Sequence, residues 1–195
     1  MRHENVPHKN KKRWNDIMSL AGKTIIVDAG HGGKYPGVTN SERVEKTVAL
    51  MFAKVLQSKL QSKGATVYMT RTTDKDFGGT NADDDVNKRV AYINKNLPQV
   101  HALISIHCNT PTGLVGPIYQ DGNAAAKSFA ENVSFNYGGQ GARKGNLAII
   151  RDTTRTRAAI LLEIAQIDDD WLDNSTLVSN AVNDLIAGID AYIPG

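Results

Sequence analysis

Thr24-Ile25-Ile26-Val27-Asp28-Ala29 runs straight into Gly30-His31-Gly32-Gly33. The first six residues are apolar and β-branched, the pattern of a short buried strand, and the glycines stop it in a tight turn that carries a histidine. The same arrangement recurs downstream, where Ala102–Ile106 (ALISI) leads into His107-Cys108-Asn109. Each histidine therefore falls at the carboxyl end of a strand, where open α/β sheets build their sites. A glycine turn after a strand also begins phosphate-binding loops, but the Lys-Ser/Thr ending of one nucleotide motif and the third glycine of the other are missing. A histidine that merely ends a strand is the plain alternative.

Outward from these two stretches, strand and helix signals alternate. Glu42–Lys63 holds no Gly or Pro, and Val44, Val48, Met51 and Val55 form a helical stripe beside Ala49, Phe52, Leu56 and Leu60. Gly64 closes it as a helix-terminating glycine. Ala65–Thr70 reads as a strand and Asp83–Asn96 as a helix with Val86, Val90 and Ile93 inward. Ile118–Gln120 reads as a short edge strand, Asn123–Asn136 as a helix, and Leu147–Ile150 and Ala158–Ile164 as two further strands. Thr176–Ile193 closes the chain as a helix, with Leu177, Ala181, Leu185 and Ile189 expected inward. The expectation is a single α/β domain: a mostly parallel, twisted sheet of about six strands with helices on both faces.

The 195 residues suffice for one domain with a substantial core, and 41% hydrophobic residues exclude a disordered chain. A lone cysteine, Cys108, excludes an internal disulfide framework and a cysteine-based zinc site. No apolar run approaches the ~20 residues of a membrane span, so no stable membrane insertion is expected. Residues 1–22 read as a basic N-terminal tail or a short docking helix, with Trp14, Ile17 and Met18 at helical spacing and residues 23–195 as the folded domain. With no apolar segment behind its basic residues, that start does not read as a secretory signal.

Four side chains stand out chemically. His31 and His107 sit at strand ends. Glu45 lies beside the buried stripe of the first helix, where a carboxylate is costly unless paired or bound to a cation. An N-terminal glutamate favoured by the helix dipole is the alternative, and Glu42 fits that better. Glu163 interrupts the apolar run AAILLEI, either facing solvent at the strand exit or facing a cation or its water. Two imidazoles and a helix carboxylate would suit a zinc site with one open position. Cys108, on the opposite strand face from His107, reads as a small buried residue rather than a nucleophile. Arg71 and Arg89 read as ion-pair partners, Asp83-Asp84-Asp85 as a helix cap, Asp168-Asp169-Asp170 as a turn, and His101 as a residue at the wrong strand end.

The order IIVDAGHGG, VEKTVAL, ISIHCN and AAILLEIA resembles the zinc-dependent N-acetylmuramoyl-L-alanine amidases, in particular the catalytic domain shared by cell-division amidases and phage endolysins. The similarity runs from about Lys23 to Ile193. It implies Zn2+ held by His31, Glu45 and His107, a catalytic Glu163, and Asn109 near the substrate. It implies hydrolysis of the amide between the lactyl group of N-acetylmuramic acid and L-alanine of the stem peptide. The partner would be peptidoglycan rather than nucleic acid, met as a monomer in the periplasm or outside the cell, in an endolysin or autolysin role. Some family members carry a helical insertion that blocks the site; only 55 residues separate His107 from Glu163, too few for it. A wall-binding protein without turnover, or a zinc peptidase acting on the stem peptide, would share the same residues.

Overall fold

A computed structural model describes residues 19–193, so the basic stretch and the Trp14, Ile17, Met18 docking helix lie outside the described residues. Six strands form one sheet: β1 (Thr24–Ala29), β2 (Thr66–Met69), β3 (Ala102–Asn109), β4 (Gly116–Gln120), β5 (Arg143–Gly145) and β6 (Ala159–Gln166). The helices are α1 (Glu45–Ser62), α2 (Ala82–Asn96), α3 (Ala124–Tyr137), the single turn α4 (Ala148–Arg151) and α5 (Ser175–Tyr192), with a 3-10 turn at Asp170–Asp173. The spatial order is β2-β1-β3-β6-β4-β5. Pairing is parallel throughout except between β4 and β6.

Alternation along the strands divides the core. Ile25, Val27, Ala29, Ile104, Ile106, Ile160 and Leu162 point to one face, under α1, α3 and α5 through residues such as Phe52, Phe129 and Leu185. Ile26, Leu103, Ala159 and Leu161 point to the other, under Val90 and Ile93 of α2 and Ile149 and Ile150 of α4. The chain leaves β1 toward β2 on one side and returns to β3 on the other. A crevice therefore opens beyond the carboxyl ends of β1 and β3, where the winding reverses.

Several expectations are corrected. Leu147–Ile150 is not a strand: Leu147 precedes α4 and Ala148–Ile150 fall in it, with Ile149 and Ile150 covering the sheet face. The outer strand is instead Arg143–Gly145, which pairs with β4, so β4 is interior rather than an edge. In α5 the inward stripe is Val178, Val182, Leu185, Ile186 and Ile189, while Leu177 remains 45% exposed. β3 runs on through His107 to Asn109, so both are strand residues rather than residues following a strand. Asn81, not the aspartate run, caps α2; Asp85 turns inward and accepts from the Phe77 and Gly79 amides.

Candidate metal centre

The turn after β1 brings His31 over the crevice. His31 is the only non-glycine residue with positive φ among the described residues, at 56°, a conformation costly for an L side chain. Glycines make room around it. A Cβ on Gly30 would lie 2.5 Å from the His107 ring, and one on Gly37, whose φ is +73°, would lie 2.3 Å from Glu45 Oε2. Both positions are thus closed to larger residues.

Glu45 opens α1 and is 2% exposed. Its Oε1 lies 3.0 Å from His31 Nε2 and 2.9 Å from His107 Nδ1, and accepts from the Cys108 amide at 3.0 Å. Its Oε2 accepts from the Val38 amide at 2.8 Å. The two imidazoles meet edge to face with centroids 4.8 Å apart. Burial alone would push the Glu45 carboxyl up, but hydrogen bonds and charge from His107 and His31 outweigh it and hold the acid well below the ordinary range. Burial pulls the His107 imidazole down and the Glu45 carboxylate pulls it up, with a net rise.

Glu163 is the register partner of His107 on the neighbouring strand β6. Burial raises its carboxyl above the ordinary range; His107 and Arg143 pull the other way and the Glu45 charge adds to the rise. Its Oε2 is buried and has no hydrogen-bond partner among the described residues. A buried carboxylate oxygen with no partner beside an imidazole is suited to face a cation or its water.

The candidate ligand atoms of His31, Glu45 and His107 all lie within 4.8 Å of one another, so one ion can reach all three. Two imidazole nitrogens and one carboxylate oxygen form a donor set suited to zinc with a position left open. A cleft of about 470 Å3 runs from the two histidines between α2 and the segment 146–151.

The remaining candidates fall elsewhere. Asn109 lies beyond His107 on β3; its amide donates to the Leu114 carbonyl at 3.1 Å and accepts from Thr110 N at 2.8 Å, shaping the turn at the rim. Cys108 is buried, and burial with the charges of Glu45 and Glu163 raises its thiol. His101 accepts from the Thr24 amide at the far end of the sheet. Arg89 is ion-paired with Asp28 and Asp85 as expected, whereas Arg71 spends its hydrogen bonds on backbone carbonyls. Asp28 was not singled out by the sequence reading. It is fully buried and bonded to Ser105 and Thr70, and the signal was an acid within an otherwise apolar strand.

Several known proteins are similar to this chain. The germination-specific N-acetylmuramoyl-L-alanine amidase of Bacillus subtilis is 37% identical over 105 residues, covering 50% of this chain and 43% of that protein. The probable cell wall amidase LytH of Staphylococcus aureus is 34% identical over 158 residues, covering 77% of this chain and 50% of that one. The chain thus spans half or less of the length of these relatives. The catalytic domain of CwlV, an N-acetylmuramoyl-L-alanine amidase from Bacillus (Paenibacillus) polymyxa var. colistinus, superposes with a TM-score of 0.73 at 27% identity, covering 87% of this chain and 97% of that one. CwlD from Clostridioides difficile, solved in complex with the GerS lipoprotein, shares the fold with a TM-score of 0.74 at 21% identity, over 88% of this chain and 98% of that one. The N-acetylmuramoyl-L-alanine amidase family pattern matches residues 25–191, and the chain belongs to that family.

Proposed function

We propose that this chain is a zinc-dependent N-acetylmuramoyl-L-alanine amidase that cleaves the amide between the lactyl group of N-acetylmuramic acid and L-alanine of the stem peptide. The observation that carries this reading is the convergence of His31, Glu45 and His107 within 4.8 Å, beside a carboxylate with an orphaned oxygen. His31, Glu45 and His107 hold the zinc. Zinc in such a set supplies a Lewis acid that lowers the pKa of water to about 7 and takes up charge developing on a carbonyl oxygen.

Glu163 is the general base. Its Oε2 takes a proton from the attacking water, and the same carboxyl returns it to the departing alanine nitrogen. Burial that raises the Glu163 carboxyl makes it a stronger base once ionised. Asn109, through the turn it braces with Leu114, forms the substrate-side rim. Peptidoglycan is the substrate and the site of action is the cell wall, outside the cytoplasm. The chain is read as a monomer with no nucleic-acid partner, and no helix among the described residues is long and apolar enough to cross a membrane.

The test is incubation of zinc-loaded protein with a defined muropeptide and mass analysis of the products. The expected pair is a free stem peptide with L-alanine at its N-terminus and an intact N-acetylmuramic acid carboxylate. A new amino terminus on any other residue would instead mark a peptidase.

A further inference from the structure

Two arginines lie buried beneath the His31 turn, outside the ligand set. Arg89 of α2 is 2% exposed and Arg71, just after β2, is 1% exposed. Arg89 Nη2 donates to the His31 carbonyl at 2.6 Å and Nη1 to the Ala29 carbonyl at 3.1 Å. Arg71 Nε donates to the same Ala29 carbonyl at 2.9 Å. Its Nη2 donates to the carbonyls of Gly30 at 2.7 Å and Lys46 at 2.8 Å, and its Nη1 to that of Thr73 at 3.2 Å. Three consecutive carbonyls, Ala29, Gly30 and His31, are thus gathered on two guanidinium groups. Asp28 and Asp85 flank Arg89, and the Phe77 ring lies 4.9 Å from its guanidinium carbon.

A chain leaving a parallel strand has no further ladder for its carbonyls, and buried carbonyls must be paired. Here the pairing coincides with the one non-glycine residue in left-handed backbone conformation among the described residues. Such strain persists only where surrounding structure over-determines it. The Arg89 bond is made to the carbonyl of the strained residue itself.

We propose that Arg89, backed by Arg71, is a positioning residue for the metal centre: it pins the His31 backbone in its left-handed conformation and so aims the imidazole at Glu45 and His107. The proposal rests on the zinc reading above. Outer groups that orient a metal ligand typically alter metal affinity by about 10–100-fold when removed. A planar fork can serve two carbonyls at once, whereas a lysine ammonium supplies the charge without that geometry.

The experiment measures the zinc dissociation constant of metal-free protein by competition with a chromophoric chelator, alongside the visible absorption bands of the cobalt-substituted protein. Three variants are compared with the wild type: Arg89→Lys, Arg71→Lys and Asp85→Asn. Asp85→Asn disturbs the ionic surroundings of Arg89 but leaves its bonds to the Ala29 and His31 carbonyls. The expected result is a folded Arg89→Lys with zinc affinity weakened about 10–100-fold and altered cobalt bands, and Asp85→Asn at wild-type affinity. Should Arg89→Lys not fold, Arg71→Lys is expected to show the same weakening. A folded Arg89→Lys with wild-type affinity and bands overturns the proposal, as does Asp85→Asn weakening zinc equally. Failure of both lysine variants to fold would assign the arginines to the core alone and overturn it too. A wild-type chain that binds no zinc overturns the metal reading itself, separately from any comparison among variants.

Discussion

His107 and Glu163 are register partners on the adjacent parallel strands β3 and β6, so an imidazole and a carboxylate leave the same face of the sheet side by side. Strand geometry, not a flexible loop, sets their spacing. Rigid elements hold reacting groups more precisely than loops do. The same sheet edge brings in Glu45 from the first turn of α1, so three elements converge on one point.

Replacing the proposed base, Glu163, should separate binding from turnover. Glu163→Gln keeps the size of the side chain but removes its basicity. It is expected to keep the fold and the metal content while the rate of alanine amino-group release falls about 10²–10⁴-fold. Full activity in Glu163→Gln would remove Glu163 from the reaction.

Stability should respond in the opposite sense. Without metal the Glu163 carboxyl sits above its ordinary value of 4.5 because it is buried, so its charged form weighs against folding. A raised carboxyl contributes stability fully below the unfolded pKa and loses it as pH rises through the folded one. Metal-free Glu163→Gln is therefore expected to unfold at higher denaturant than wild type at pH 7, with the gap closing below about pH 4. Urea melts across that range check it; equal midpoints at pH 7 would show that burial of the acid carries no cost.

Room for the candidate ligands depends on a glycine. Gly30→Ala places a Cβ 2.5 Å from the His107 ring and 2.7 Å from the Ile106 carbonyl. Moving the ring does not relieve the contact with the Ile106 carbonyl, so the turn after β1 must shift as well, and the variant is expected to melt at a lower temperature and to hold less zinc than the wild type. Elemental analysis of purified protein decides it, and a full equivalent of zinc would mean the ring is not held where the structure has it.

Cys108 faces away from the chemistry. Its thiol is buried and raised, and only its backbone amide touches Glu45. Cys108→Ala is expected to cost about 1 kcal/mol of stability and leave turnover at the wild-type level. Native protein should also resist iodoacetamide; loss of activity on alkylation of the folded chain would reopen a nucleophilic role.

Five of the six strands fall where the sequence places them, and the three central ones, TIIVDA, ALISI and AAILLEI, stand out by strong apolar content. They are buried on both faces, so side-chain composition alone marks them. Arg143-Lys144-Gly145 has no such mark, because β5 exists through backbone pairing with β4 at an exposed edge. Leu147–Ile150 misled for the converse reason: four apolar residues carry too little period to tell a strand from a turn of helix. At the site, His31 and His107 were visible from the residues around them, and the roles of Glu45 and Glu163 gained weight from the order of motifs. The carbonyl bonds of Arg71 and Arg89 were not legible, since they arise only when β2 and α2 close on the turn after β1. Charge pairing is the default reading of a buried arginine, and in Arg71 it was the wrong one.

The centre itself is tested most directly by diffraction from zinc-loaded crystals collected on both sides of the zinc absorption edge. One anomalous peak is expected per chain, about 2.0–2.2 Å from a nitrogen of His31, a nitrogen of His107 and an oxygen of Glu45, with Glu163 close by but unligated. A peak elsewhere, or none in protein soaked with excess zinc, is incompatible with a metal centre built from these three side chains.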